Sequence, residues 1–496
     1  MDFNTLTDNQ LWEAVEKSEG NKKGLILVEL GLRSLVNGEF RKAISCAGPA
    51  IQIFSELGVT DQKAIAQYVL GSASREDGET GIAIDTLKLA CNGLRQSGNE
   101  KLLGMACSEL AQAYSDYGDW INANDTYVSS FTILSSVGDS LGVTQVGSSF
   151  GEMLGSLGLQ SKALDVFEKT KIFAKELEDP LKVAYLDDRI AACLIELARG
   201  NEALDHLKSA LDVISYTGTK DQYAWALYRY GWTLQTFNYD HQALSVLEDA
   251  KGIFNELGEV QKKAKCDFQI AHALSSLGDH GEANGLYLTL EGVFRSLGDD
   301  ETAILCVVNR AINIAKFGIK EEAVQIYKSM LADDICNKYD YIVRHIKIEL
   351  ARCFNFMQFY GEALEQVDSI NIESYGDNLL GRLEYLNVKA RTLVHNKRIE
   401  EAEEVLKKIM NIEFSRGFEN TYAEALETLS IISHIKENET EMLDLRGRSI
   451  SYYLAGNDLI NARRLADSFT FAPSKTIEKV QKLVQENPGF SFGFVP

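Results

Sequence analysis

The sequence predicts an all-α fold, a right-handed superhelical α-solenoid of antiparallel helix hairpins, and three observations carry the prediction. Ten alanines recur at a fixed interval: Ala43, Ala83, Ala123, Ala163, Ala203, Ala243, Ala283, Ala323, Ala363 and Ala402; eight consecutive intervals are 40 residues and the ninth is 39. Twelve residues before each stands a small residue: Gly31, Gly71, Ala111, Gly151, Ala191, Gly231, Ala271, Ala311, Ala351 and Ala390. Between the two lies a turn, often marked by glycine: Gly38, Gly78, Gly118, Gly158, Gly278 and Gly318. A single globular enzyme has no reason to keep such a register. Stacked repeats must keep it, because each unit presents the same small contact point to the next. The register points to binding rather than chemistry.

The chain opens on residues 1–23, where 7–18, with Trp12, read as an N-terminal capping helix. Residues 24–412 then hold ten hairpins. In the first helix a large apolar residue precedes the small one, as in Leu30, Leu70, Leu110, Phe150, Ile190, Tyr230, Ile270 and Leu350. Glycine ends that helix because it accepts the left-handed conformation of a C-cap. In the second helix an apolar residue follows the alanine by four, as in Leu87, Tyr127, Phe167, Leu207, Leu247, Tyr287, Tyr327, Val367 and Leu406. Three- and four-residue spacing puts these on one helical face. A further glycine closes most units, at 58, 98, 138, 218, 258 and 298. Beyond 412 the pattern decays. Residues 413–487 suggest a degenerate helix pair at 421–435 and 440–454, then closing helices at 458–468 and 474–486. Pro488 ends structure and leaves a tail, 488–496, with Phe490, Phe492 and Phe494, which reads as a docking peptide or a frayed end.

The L-G or L-A pair, the alanine with its apolar residue four further on, and the turn between them resemble the tetratricopeptide repeat family; in the sixth unit they are Tyr230-Gly231, Ala243 and Leu247. The resemblance spans about residues 24–412 and recurs ten times. The chain departs from the common version in its period, 40 residues rather than about 34, and in lacking a closing proline, with none between Pro180 and Pro473. That long variety is similar to the repeats of mitotic-orientation adaptors and of bacterial peptide-pheromone receptors. The resemblance implies a concave groove that holds a peptide or protein segment, lined by the first helix of each hairpin.

Composition bounds the rest. With 50 Lys and Arg against 72 Asp and Glu among 496 residues, the net charge is −22, which opposes nucleic-acid phosphates and acidic membranes. No window approaches the ~18 apolar residues that span a bilayer, and the start lacks a basic region followed by an apolar run. Eight scattered cysteines with no C-x-x-C pair read as core thiols of a cytoplasmic protein. Gly147-Ser148-Ser149-Phe150-Gly151 fits the G-x-S-x-G nucleophile elbow, but that elbow needs a strand before it, and here its last two residues are the repeat's own core pair. The seven histidines lack metal-ligand spacing. The expectation is therefore no catalytic, metal or cofactor site.

Counting inward positions gives the groove. The sixth unit offers Trp225, Tyr228, Trp232 and Gln235 with Arg229 adjacent; the fifth Tyr185 and Asp188; the seventh Lys265, Phe268 and His272. Aromatic surfaces with a few polar groups suit peptide recognition, and packing on the neighbouring hairpin is the alternative. A second inward cluster joins His345, Arg352, Asn355, Asn387, Arg391 and His395; it reads first as a solvated polar face, and alternatively as a site where arginine and asparagine hold a carboxylate or an extended peptide backbone. The sequence thus reads as a non-enzymatic cytoplasmic scaffold whose partner is a protein or peptide, not nucleic acid or membrane. It leaves open a structural subunit working through its ends or convex surface, a peptide-responsive regulator, and self-association or incorporation in a larger assembly.

Overall fold

A computed structural model describes residues 6–376, 378–412, 419–456 and 458–467; the expected helix at 474–486 and the tail 488–496 lie outside the described residues. By its internal contacts the chain divides into unit 1, Met1–Leu186, and unit 2, Asp187–Pro496. Unit 1 runs α1 (Asp8–Glu16), α2 (Gly20–Val36), α3 (Phe40–Leu57), α4 (Thr60–Glu76), α5 (Thr80–Ser97), α6 (Glu100–Tyr117), α7 (Trp120–Ser136), α8 (Ser140–Ser156) and α9 (Gln160–Lys175), and the division falls inside α10 (Pro180–Glu196). Unit 2 continues with α11 (Gly200–Thr217), α12 (Lys220–Thr236), α13 (Asp240–Leu257), α14 (Val260–Leu277), α15 (His280–Ser296), α16 (Asp300–Lys316), α17 (Lys320–Leu331), α18 (Asp340–Phe356), α19 (Tyr360–Asp368), α20 (Leu379–His395), α21 (Ile399–Met410), α22 (Glu419–Ile435), α23 (Glu439–Ala455) and α24 (Leu459–Asp467). Short 3-10 turns at Cys336–Lys338 and Ile372–Tyr375 follow the shortened α17 and α19.

Each even-numbered helix from α2 to α22 returns through a tight turn to its odd-numbered partner. All ten repeat alanines are 0% exposed. At Gly71, Gly151 and Gly231 the first helix receives the apolar side chain four positions beyond the alanine, rather than the alanine itself; at Gly31 it is Val69 of the next first helix that comes nearest. A Cβ on Gly71 would lie 2.5 Å from Leu87, one on Gly231 2.8 Å from Leu247, and one on Gly151 2.4 Å from Phe167. Close backbone approach at these points buries the large side chains of the second helix, and Tyr127, Tyr287, Tyr327, Phe54, Phe254 and Phe294 are among the largest fully buried groups.

Helix α1 closes the first hairpin by packing Leu11 and Val15 on Ile26, Leu27, Val28 and Leu30. Thr7 and Gln10 start it with a reciprocal capping box. Gly218 does not take the left-handed conformation of its counterparts; its φ is −86°, and Thr219 with Gln222 builds a capping box into α12 instead. All eight cysteines are free and buried. The G-x-S-x-G residues lie inside α8, where Ser149 Oγ accepts a hydrogen bond from Gln112 at 3.1 Å. Among the described residues no helix is long and apolar enough to cross a membrane.

Candidate functional site

In unit 2 the first helices α12, α14, α16, α18, α20 and α22 put their inward faces side by side, and two adjoining cavities open along them. The larger, about 690 Å³, has an aromatic wall of Trp232, Phe268, Tyr341 and Tyr375 and a polar set that includes Gln235, His272, Arg344 and His345. The smaller, about 370 Å³, is lined by Arg352, Asn355, Asn387, Arg391, His395 and Glu424, among others. Glu384 lines the first, and its carboxylate meets Arg352 of the second at 3.3 Å. The two cavities are therefore consecutive stretches of one wall.

Turn by turn, helical spacing explains who reaches this wall. Trp232 and Gln235 on α12, Phe268 and His272 on α14, Arg352 and Asn355 on α18, and Asn387 and Arg391 on α20 all sit three or four residues apart within one helix, so each pair shares a face. Gln235 donates to Nδ1 of His272. That imidazole is held at about 4 by burial first, and then by Lys316 and His345, so it is neutral and accepts hydrogen bonds at ordinary pH.

The arginines of the second cavity are already paired. Arg352 has Glu349 and Glu384 at 3.3 Å and Glu424 at 4.0 Å. Arg391 meets Glu427 at 2.9 Å, and Arg464 of α24 meets the same carboxylate at 2.7 Å. Burial works to raise the Glu427 carboxyl, but Arg391 and Arg464 outweigh it and hold it at about 2. Burial raises Glu424 against the pull of Arg352 and Arg391. A carboxylate ligand would have to displace these acids, so the arginines orient the wall more readily than they receive an anion. The asparagines differ. Asn355 donates to Thr392 Oγ1 at 2.8 Å and Asn387 to the Thr421 carbonyl at 3.1 Å, while Oδ1 of each is buried without a hydrogen-bond partner.

The remaining expected site residues stand elsewhere. Trp225, 37% exposed, stacks on Tyr228 at 5.0 Å and meets the buried Phe254 of its own hairpin edge-on at 6.5 Å; both rings also reach α14, where Lys265 lies over Trp225 at 6.0 Å and Gln269 hydrogen-bonds the Tyr228 hydroxyl. Arg229 lies over the Trp232 ring at 5.4 Å and pairs with Asp188 at 2.9 Å, linking α10 to α12 within unit 2. Tyr185 belongs to unit 1, where its hydroxyl donates to Glu152. The wall also includes residues that counting by repeat did not single out: Tyr341, Arg344, Tyr375, Glu384 and Glu424. Arg344 precedes Arg352 by two helical turns and its position was countable. Tyr375 comes from the 3-10 turn, where no periodicity exists; its ring takes the Arg344 guanidinium at 4.8 Å.

Unit 1 has a cavity of about 400 Å³ on its own first helices, with Arg75, Gln112, Ser149 and Glu152. There Arg75 is bound to Glu109 at 3.1 Å and to Asp116 at 3.4 Å. Among the described residues no group of three or more His, Cys, Asp or Glu side chains is placed to hold a metal ion.

No protein-family model matches the chain, and no curated protein matches it in sequence. Solved structures do. The apo quorum sensor NprR of B. thuringiensis aligns with a TM-score of 0.39 and 16% identity over 67% of this chain and 98% of its own. A Rap protein complexed with competence and sporulation factor aligns with a TM-score of 0.44 and 14% identity over 79% of this chain and 98% of its own. The Rap conjugation gene regulator of plasmid pLS20, in complex with the Phr* peptide, reaches a TM-score of 0.50 at 11% identity over 68% of this chain and 96% of its own. That last likeness, with the stacked hairpins, shows the fold: the chain is a tetratricopeptide-like α-solenoid.

Proposed function

We propose that this protein is a non-enzymatic, cytoplasmic binding protein that holds an extended peptide or protein segment along the wall formed by α12 to α22. The observation that carries the reading is the pair of asparagines. Each lines the smaller cavity, spends its amide N–H₂ on the protein and keeps a buried Oδ1 without a hydrogen-bond partner. A buried acceptor without a partner costs about 1–3 kcal/mol, and the backbone N–H groups of an extended segment supply the missing donors. The aromatic wall next to them offers large contact area at low entropic cost. The pLS20 Rap regulator, of the same fold, holds a peptide. The eight free, buried thiols agree with a reducing compartment.

The test is selection of peptides from a random display library on the full chain, followed by affinity measurement with Trp232→Ala and the pair Asn355→Ala, Asn387→Ala. Selected peptides should lose at least about tenfold in affinity to each variant, the scale of a hot-spot residue. Peptides that bind both variants as well as the wild type place binding away from this wall. In that case the ends or the convex surface become the working faces, as for a subunit of a larger assembly.

A further inference from the structure

We propose that unit 2 carries a second ligand site, separate from the peptide wall, that takes a primary ammonium group. It is a cavity of about 730 Å³ at the hairpin turns, lined among others by Asp240, His280, Lys316, Asp458 and Asn461. It shares only Asn238 and Ser276 with the wall's larger cavity.

The register makes Asp240 conspicuous. It is the first residue of its second helix, the position that Phe40, Thr80, Trp120, Gln160, Gly200, His280, Lys320 and Tyr360 hold in other hairpins. Ile399 holds it in the tenth hairpin, so among the ten repeat hairpins only this one carries an acid there. Asp240 is 7% exposed, and its Oδ1 is buried with no hydrogen-bond partner. An isolated buried carboxylate is expensive unless a cation or donors meet it. Asp458 faces it from the start of α24, where its carboxylate also caps the helix, accepting from the Asn461 backbone at 3.1 Å. Burial first, and then the facing Asp458, push the Asp240 carboxyl up to about 7.

Lys316 lines the same cavity, yet among the described residues it forms no ion pair with either acid. Burial lowers its pKa. With Asp240 and Asp458 both ionised the cavity sets two carboxylates against the ammonium of Lys316, and a bound cation would both balance the excess and favour the ionised form of Asp240. His280 adds a third acceptor. Its Nδ1 is buried without a partner, and burial, with Lys316, lowers its pKa, so the ring is neutral and can accept an N–H. An alkylammonium carries one positive charge and three donors. It matches the charge deficit of the cavity and its acceptors, Asp240, Asp458 and His280. A guanidinium or a metal ion matches less well: the first brings five donors in a plane, and the second would meet only two carboxylates and one ring nitrogen beside a lysine.

The test is calorimetric titration of the full chain at physiological salt with cadaverine, and separately with N-acetyl-lysine methylamide. The first stands for a free aliphatic amine and the second for a lysine side chain of a protein segment. Asp240→Asn and Asp458→Asn should each weaken binding of the active probe at least about tenfold, as loss of a charge-assisted bond does. Trp232→Ala should leave it unchanged, which separates this site from the peptide wall. Asp240→Asn removes a buried, unpartnered charge and should melt no lower than the wild type, so a loss of binding is not a loss of fold. Binding of neither probe at millimolar concentration would overturn the proposal. So would equal binding by wild type and Asp240→Asn, since that is attraction to the acidic surface alone.

Discussion

The two units build the same hairpin from different materials. In unit 1 every hairpin turn is glycine in the left-handed region: Gly38, Gly78, Gly118 and Gly158, with φ of 73°, 88°, 84° and 74°. Unit 2 keeps glycine at 278 and 318 but asks Ala198, Asn238, Gln358, Lys397 and Glu437 to adopt the same conformation, with φ between 55° and 65°. Unit 1 also packs by contact of glycines with neighbouring helices, with sub-3 Å clearance for a Cβ at Gly24, Gly31, Gly71, Gly93, Gly104, Gly147 and Gly151. Unit 2 uses alanine at most of the corresponding small positions and buries charge instead, as in the Arg391–Glu427–Arg464 triad. The repeat thus fixes a backbone, not a residue list. Local rules are relaxed in the unit that carries the larger cavities, where functional demands are expected to compete with stability.

If charge burial is what distinguishes unit 2, removing the centre of its triad should have the largest effect. Glu427→Ala leaves two arginines without their acid and removes the acceptor of Tyr453, whose hydroxyl donates to it at 3.2 Å. Breaking a buried pair costs about 3–5 kcal/mol; because the arginines are a third to a half exposed, we expect about 3 kcal/mol, the lower end of that range. Hydrogen exchange should locate the loss in α20 to α24 and leave unit 1 protected. The folded carboxyl sits at about 2, below its unfolded value of about 4.3. Its stabilisation is therefore present above about pH 4 and is lost as pH falls through about 2. A loss spread evenly over both units would remove the distinction.

The complementary change in unit 1 is steric. A Cβ at Gly147 would lie 2.0 Å from Thr170 Oγ1, and Thr170 is fully buried. Gly147→Val should cost about 1–3 kcal/mol by overpacking, read as faster proteolysis within α8 and α9 while peptide binding by unit 2 persists. A smaller effect of opposite sign comes from Asp240. Its folded carboxyl is raised to about 7 from an unfolded value of about 3.9, so its charge opposes folding increasingly between pH 4 and 7. Asp240→Asn should leave the melting temperature unchanged below pH 4 and raise it by a few degrees above pH 7. A rise that is the same at both pH values would mean that the carboxylate is not the cause.

Much of this was legible in the chain because a repeat writes its core ten times over. The ten alanines and the small residues ahead of them are backbone-contact positions, and packing tolerates few alternatives there. The wall was partly legible for the same reason: Trp232, Gln235, Phe268, His272, Arg352, Asn355, Asn387 and Arg391 fall on the inward face by counting. What counting could not supply was the direction in which a side chain leans once neighbours compete for it. Trp225 shares a helix face with Trp232, yet the buried Phe254 draws it onto its own hairpin. Nor could counting reveal that Glu384, Glu424 and Glu427 occupy the arginines, because ion pairs from one first helix to another are a property of stacking. Tyr375 and Asp458 come from a 3-10 turn and from the helix after the repeat has decayed, where there is no register to count.

The smallest effect isolates the turns. Gly78 has open space around it, so Gly78→Ala adds no clash and meets only the cost of a left-handed alanine, about 1–2 kcal/mol, less the 0.5–1 kcal/mol or so by which glycine loosens the unfolded chain. The reverse change is best made at Lys397, which is exposed with φ of 62°, rather than at Ala198, which is 0% exposed and whose buried methyl is worth about 0.8 kcal/mol. Lys397→Gly should therefore stabilise unit 2 by about 0.5–1 kcal/mol, and Gly78→Ala should destabilise unit 1 by about as much, each read by local hydrogen exchange in the flanking helices. Ala198→Gly should be close to neutral, because relief of the backbone and loss of the methyl offset one another. If Lys397→Gly lowered protection of α20 and α21, the left-handed turn would not be a strain that unit 2 carries, and the contrast between the two units would rest on glycine packing and buried charge.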